Sequence, residues 1–104
     1  MKYKYTLIIL NWKRPANIVK IIGSLHNHPY ITNIIVSNGN PNNQLLFKDL
    51  KKVTCYDDSS LNFVYGLDLR FLRGISASTD KLIIMDDDIF IDHDNLTKLL
   101  HSYE

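Results

Sequence analysis

Four short apolar runs recur along the chain and restrict its fold more than any other feature. The first and fourth runs are apolar at all positions but one, and the second has three consecutive apolar residues, whereas a strand with one face in water alternates apolar and polar residues. The runs therefore predict four strands that are covered on both faces. They are residues 6–10, 33–38, 53–56 and 81–85.

Segments with the spacing of amphipathic helices lie between and after these runs. Pro15 suits the first turn of a helix, and apolar residues follow it at i, i+3, i+4 and i+7. The same spacing predicts a last helix that begins at Asp94 or Asn95. The apolar positions of the two helices are Ile18, Ile21, Ile22 and Leu25, and Leu96, Leu99, Leu100 and Tyr103. Shorter helical pieces are predicted within residues 44–52 and 61–75.

Strands that alternate with helices predict an α/β fold, with three layers (α/β/α) built around a mostly parallel sheet. A chain of 104 residues suffices for one domain, so residues 1–104 are expected to form a single unit. Ligands of such sheets bind at the carboxyl ends of the strands. Polar segments follow all four predicted strands, and we expect the functional site there.

Charge and composition limit which partners and which compartment we expect for this protein. The net charge is +1 and the pI is about 7.9, which gives no electrostatic reason to expect nucleic acid as a partner. Cys55 is the single cysteine, so an internal disulfide is impossible. The N-terminal apolar run is too short to span a bilayer. We therefore expect a cytoplasmic protein without a transmembrane segment.

Three consecutive aspartates, Asp86, Asp87 and Asp88, follow the fourth run directly. In extended backbone the first and third would point the same way, and the middle one would serve a different partner. Mg²⁺ and Mn²⁺ bind carboxylate oxygens, often one or two from the protein together with substrate phosphates. A divalent metal site is the interpretation we favour, and a solvated turn or a helix cap is the alternative.

Several short motifs keep the same order as in a known family. They are Trp12-Lys13-Arg14 after the first run, Asn38 at the end of the second, Ser60-Leu61-Asn62, Arg70-Phe71-Leu72, the aspartate triplet, and His93-Asp94 before the last helix. In this ordered set the chain resembles the exostosin-type glycosyltransferase domain, a branch of the GT-A nucleotide-sugar transferases. That family continues with an acceptor-binding half beyond these motifs, so the resemblance covers its Rossmann-like nucleotide-binding half.

The resemblance implies a site that binds a UDP-sugar donor together with Mn²⁺ or Mg²⁺. It assigns metal binding to Asp88 and Asp86, and gives Asp86 and Asp87 a contact with the ribose or sugar. It brings Asn38 and Asn62 to the uridine. It directs Arg14, with Arg70 or Arg73, to the nucleotide or its diphosphate. It identifies no catalytic residue and leaves the sugar and the acceptor open.

Three functions remain open from the sequence. The first is a glycosyltransferase, or its donor-binding half. The second is a nucleotide- or metal-binding module that is catalytically incomplete and needs a partner chain, or a homodimer, to supply the acceptor half. The third is a receiver-like α/β domain. Asp57 and Asp58 follow the third run as a receiver requires, but the first run ends in Asn11 rather than in acidic residues.

Overall fold

The computed structural model of this chain describes residues 4–40, 51–58, 73, 79 and 81–104. Its elements, in chain order, are β1 (Tyr5–Asn11), α1 (Pro15–Leu25), β2 (Ile31–Asn38), β3 (Val53–Asp57), β4 (Lys81–Asp86) and α2 (His93–Tyr103). The four predicted strands are present, each extended by one or two residues. The helices predicted within residues 44–52 and 61–75 lie largely outside the described residues, although residues 51–52 form a turn.

The four strands form one parallel sheet in the order β3-β2-β1-β4. This confirms the predicted α/β fold with a parallel sheet. The chain moves from β1 to β2 and β3 on one side, whereas β4 lies on the other side of β1. The order of the strands therefore reverses between β1 and β4, and a crevice at the carboxyl ends of these two strands is where such sheets bind ligands.

The described core lies on one face of the sheet. Leu7 and Ile9, alternate residues of β1, belong to this core. The apolar faces of α1 and α2 pack against them, with residues such as Ile18 and Leu96. Ile8, on the opposite face of β1, is also fully buried. Burial on both faces explains the apolar runs of the central strands β1 and β2. The edge strands β3 and β4 are only partly buried, and Leu82 of β4 is exposed, so the expectation of cover on both faces fails for them. Both described helices pack on one face, and the segments predicted to supply helices for the other face lie largely outside the described residues.

The two helices begin as their local sequences dictate. Pro15 takes the first turn of α1, where its missing N–H costs no hydrogen bond. Asp92 caps α2 by accepting a hydrogen bond from the backbone N–H of Asn95 at 2.8 Å, so the helix begins at His93, one or two residues before the predicted start. Within the described ranges, neither helix is long and apolar enough to cross a membrane.

Candidate functional site

Polar residues at the carboxyl ends of neighbouring strands lie at the same edge of the sheet. In the parallel register, Leu10 of β1 is opposite Asp86 of β4, and Asn11 is opposite Asn38 of β2. The aspartate triplet therefore lies beside residues 12–14, the loop that joins β1 to α1. This is the crevice at which the order of the strands reverses, so the fold brings the two motifs together at its expected ligand-binding edge.

The triplet forms a turn, which we call the acidic turn (residues 86–89). Strand β4 ends at Asp86, and the backbone N–H of Ile89 donates to the Asp86 carbonyl at 3.4 Å. The alternation of an extended strand therefore stops before Asp88, and the sequence argument that Asp86 and Asp88 point the same way in extended backbone does not hold. Asp87 is buried and Asp88 is exposed, so the turn separates their environments.

Asp87 joins the acidic turn to the β1–α1 loop. Its carboxylate accepts hydrogen bonds from Arg14 Nη1 at 3.1 Å and from the backbone N–H of Trp12 at 3.2 Å. Its backbone carbonyl accepts a third from Asn17 Nδ2 at 2.9 Å. The middle aspartate thus serves partners of its own. The side chain of Arg14 is 53% exposed, so N–H groups that Asp87 does not use remain accessible to a ligand.

The carboxylates of the acidic turn suit a cation site that the protein does not enclose by itself. Within the residues that the structure describes, no three His, Cys, Asp or Glu side chains form a group that could enclose a metal. Mg²⁺ and Mn²⁺ do not need such an enclosure, because substrate phosphates and water complete their coordination. The half-buried Asp86 and the exposed Asp88 are therefore compatible with a metal that arrives with a phosphorylated ligand.

A buried amide pair lies beside the acidic turn. Asn11 Nδ2 donates to Asn38 Oδ1 at 2.8 Å, and the backbone N–H of Asn40 donates to the same oxygen at 3.2 Å. These contacts fix Asn11 with its nitrogen toward Asn38, so Asn11 Oδ1 points elsewhere. That oxygen is fully buried, and among the residues that the structure describes it has no hydrogen-bond partner. Asn11 is not among the predicted site residues, although its place at the end of a buried strand was the available signal.

Arg73, one of the predicted diphosphate ligands, binds a carboxylate of its own chain. Its Nε donates to Asp58 Oδ2 at 2.8 Å and its Nη2 donates to Asp58 Oδ1. Asp58 is buried and also accepts from Ser37 Oγ at 2.6 Å. The Arg73 guanidinium lies 4.0 Å from the centre of the Tyr56 ring.

This ion pair bears on two of the sequence predictions. The hydrogen bonds to Asp58 raise the pKa of the Arg73 guanidinium above its ordinary value. Arg73 therefore already has an anionic partner, and a role at a diphosphate stays a prediction. Asp58 is covered by Arg73, which leaves it poorly placed to act as the phosphoacceptor of a receiver-like domain. Asn62 and Arg70, the remaining predicted contacts, lie outside the described residues.

An open cavity of about 220 Å³ lies between α1 and the segment that follows the acidic turn. Its lining is mostly apolar and includes Phe90, whose side chain is exposed. The lining residues are Ile21, Ser24, Phe90, Ile91 and Asp92. No local sequence pattern indicates this cavity, because it forms where two segments distant in the chain meet.

Comparison with known proteins gives no independent assignment, since no protein-family model and no curated protein matches the chain. The class that the described residues define is a Rossmann-like α/β domain with an acidic turn at the carboxyl ends of its strands.

Proposed function

We propose that this domain binds a nucleoside diphosphate sugar, in the first instance a UDP-sugar, together with Mn²⁺ or Mg²⁺ at the acidic turn. The activity we assign to it is that of a glycosyltransferase or of the donor-binding half of one. The observation that carries the proposal is the position of Asp86–Asp88 at the reversal of strand order, directly beside the β1–α1 loop.

The groups beside the acidic turn suit the negative charge of a nucleoside diphosphate. Asp86 and Asp88 would hold the metal, which stabilises negative charge on a diphosphate leaving group when it is bound. Arg14, half exposed and fixed by Asp87, supplies N–H donors suited to a phosphate. The contact of Asn38 with the uridine stays a prediction, because Asn38 is buried and its Oδ1 already accepts from Asn11 and Asn40.

Calorimetry and thermal unfolding with UDP test the binding part of the proposal. Mn²⁺ and UDP together should raise the melting temperature, because a ligand that binds the folded state stabilises it by mass action. Asp88→Ala should abolish that shift. Asp94→Ala is the matched control, since Asp94 is also exposed but lies outside the acidic turn. If neither UDP, UDP-sugars nor GDP-sugars bind in a metal-dependent manner, the donor-site assignment is wrong.

A second measurement separates transfer from binding alone. A glycosyltransferase releases UDP from the donor, either to an acceptor or slowly to water, and this release can be followed with time. Binding without release would favour the alternative function, a nucleotide- and metal-binding module that needs a partner chain or a second copy. UDP release that is lost in Asp88→Ala and kept in Asp94→Ala would support the transferase.

A further inference from the structure

A buried histidine, His28, lies in the turn between α1 and β2, away from the acidic turn. Its Nδ1 accepts a hydrogen bond from the backbone N–H of Tyr30 at 3.2 Å. The proton of the neutral ring is therefore on Nε2, which donates to Thr97 Oγ1 at 2.9 Å. The Thr97 hydroxyl in turn donates to the backbone carbonyl of His93 at 3.0 Å. These contacts fix one neutral tautomer and tie the turn to α2.

A second histidine stacks on the first. His93 is the first residue of α2, and its ring centroid lies 4.3 Å from that of His28, with the planes tilted by 34°. His93 Nε2 also lies 3.2 Å from Asn27 Oδ1, in the same turn as His28. The first turns of α2 are thus held against the α1–β2 turn by the two imidazoles and the Thr97 hydroxyl.

Cationic and aromatic side chains from neighbouring elements lie close to the stacked rings of His28 and His93. From the segment before β3, Lys52 Nζ donates to the His28 carbonyl at 3.2 Å. From the segment before β1, Lys4 Nζ lies 5.9 Å from the centre of the Tyr30 ring, and that ring packs 5.4 Å from His28. From α2, His101 meets Tyr30 edge-on at 6.3 Å.

The carboxylates nearest in sequence to His93 are its two neighbours at the start of α2, Asp92 and Asp94. Asp92 is engaged as the helix cap and Asp94 is exposed in the first turn. Among the described contacts, neither one forms an ion pair with His28. Burial, and then the charges of His93 and Lys52, lower the pKa of His28 below its ordinary value of 6.5.

We propose that His28, His93 and Thr97 form a pH-sensitive latch, which holds α2 against the α1–β2 turn at neutral pH and releases it in acid. Protonation puts a hydrogen on His28 Nδ1, which then faces the N–H of Tyr30, so that two donors oppose each other. It also creates a buried cation against His93. Because α2 begins shortly after the acidic turn, release frees the helix that anchors the chain leaving that turn.

The direction of the pH dependence follows from the two states of His28. When α2 is released, His28 takes up a proton near pH 6.5, whereas the docked ring does so only at lower pH. The released state therefore binds more protons between these two pKa values. The contribution of the latch is complete above about pH 6.5 and is lost as the pH falls through the pKa of the docked His28.

Amide hydrogen exchange measured by NMR between pH 7.5 and pH 5.0 tests the latch. After correction for intrinsic exchange, protection of α2 amides such as Leu96 and Leu100 should fall about tenfold for each unit between the two His28 pKa values. Protection of β1 amides such as Ile8 should persist. The imidazole resonances of His28 should show the Nε2–H tautomer at pH 7.5 and titrate below 6.5.

Two variants isolate the titrating group. His28→Asn keeps an acceptor for the Tyr30 N–H but cannot titrate, so its α2 protection should not change over the same pH range. His101→Gln removes a different histidine from the same helix and should retain the wild-type fall. Loss of protection in β1 and α2 together, or the same fall in His28→Asn as in the wild type, would overturn the proposal. If His28→Asn does not fold, a wild-type His28 that titrates at or above pH 6.5 overturns it alone.

Discussion

The carboxylate of Asp87 accepts a hydrogen bond from Arg14 Nη1 at 3.1 Å, which joins two residues 73 positions apart in the sequence. The same carboxylate receives the backbone N–H of Trp12. The middle residue of the triplet therefore organises the β1–α1 loop, while Asp88 remains exposed. One aspartate holds the site together, and the next residue along the chain is accessible to a ligand.

Removal of Asp87 should destabilise the domain more than removal of Arg14. Asp87→Ala loses two hydrogen bonds to a charged acceptor, one from Arg14 and one from the Trp12 N–H, at a cost of about 2–3 kcal/mol. Arg14→Ala should cost about 1 kcal/mol or less, because the side chain of Arg14 is half exposed and the pair is partly solvated. Urea unfolding followed by circular dichroism measures both.

Asp88→Ala is the matched control for this comparison, since it removes an exposed carboxylate from the same turn. Its free energy of unfolding should stay within about 0.5 kcal/mol of the wild type. Equal losses for Asp87→Ala and Asp88→Ala would show that the contacts of Asp87 with the β1–α1 loop do not stabilise the fold.

The sequence predicts the elements of this fold well, because each is specified by its own residues. The apolar runs gave the strands, and the spacing of Ile18 to Leu25 gave α1, since burial on both faces or on one stripe leaves a local pattern. That Asn11, Asn38 and Asp86 all lie at one edge of the sheet follows once the sheet is parallel. The Asp58–Arg73 pair and the His28–His93 stack could not be read in this way, because nothing local to one partner specifies the other.

The buried ion pair of Asp58 and Arg73 should be costly to break. Asp58→Asn leaves the Arg73 guanidinium, which is mostly buried, without a counter-charge, and we expect a loss of about 3 kcal/mol in the free energy of unfolding. Ser37→Ala removes one neutral donor from the same carboxylate and should cost about 1 kcal/mol. Guanidinium unfolding curves would contradict this account if Ser37→Ala were the more damaging change.

The N-terminal cap of α2 should be visible as a stability difference between two neighbouring aspartates. Asp92→Ala leaves the Asn95 N–H without its side-chain acceptor and should lower the free energy of unfolding by about 1 kcal/mol. Asp94→Ala loses only a favourable charge near the helix N-terminus, worth a few tenths of a kcal/mol. Thermal denaturation of the two variants, with Asp92→Asn as a retained cap, ranks the three effects.

Gly23 offers a stabilising substitution within α1. An added Cβ meets no atom within 4 Å, and the residue is exposed in the helix interior. Alanine restricts the unfolded chain and has the higher helix propensity, so Gly23→Ala should gain about 0.5–1 kcal/mol. For a domain of this length that corresponds to a rise of about 2–6 °C in Tm. A lower Tm would mean that the helix tolerates no side chain at this position.

Cys55 of β3 should be unreactive in the folded protein. Burial raises the pKa of its thiol from 9.0 to about 11, and the thiolate is the form that is alkylated. At pH 8 the folded protein should react with iodoacetamide on the order of a hundredfold more slowly than the urea-unfolded protein, in proportion to the thiolate present. Mass spectrometry of timed samples measures the two rates.

The same pKa shift predicts how stability changes in alkali. A thiol whose folded pKa exceeds the unfolded value contributes stability that is complete below about pH 9 and is lost as the pH rises toward 11. Cys55→Ala cannot titrate, so the difference in free energy of unfolding between wild type and variant should shrink over this range. Taking the difference in the free energy of unfolding between the two proteins cancels the titrations of tyrosines and lysines, which both proteins contain. A constant difference between pH 8 and pH 11, or equal alkylation rates for folded and unfolded chains, would show that the thiol is accessible and titrates normally.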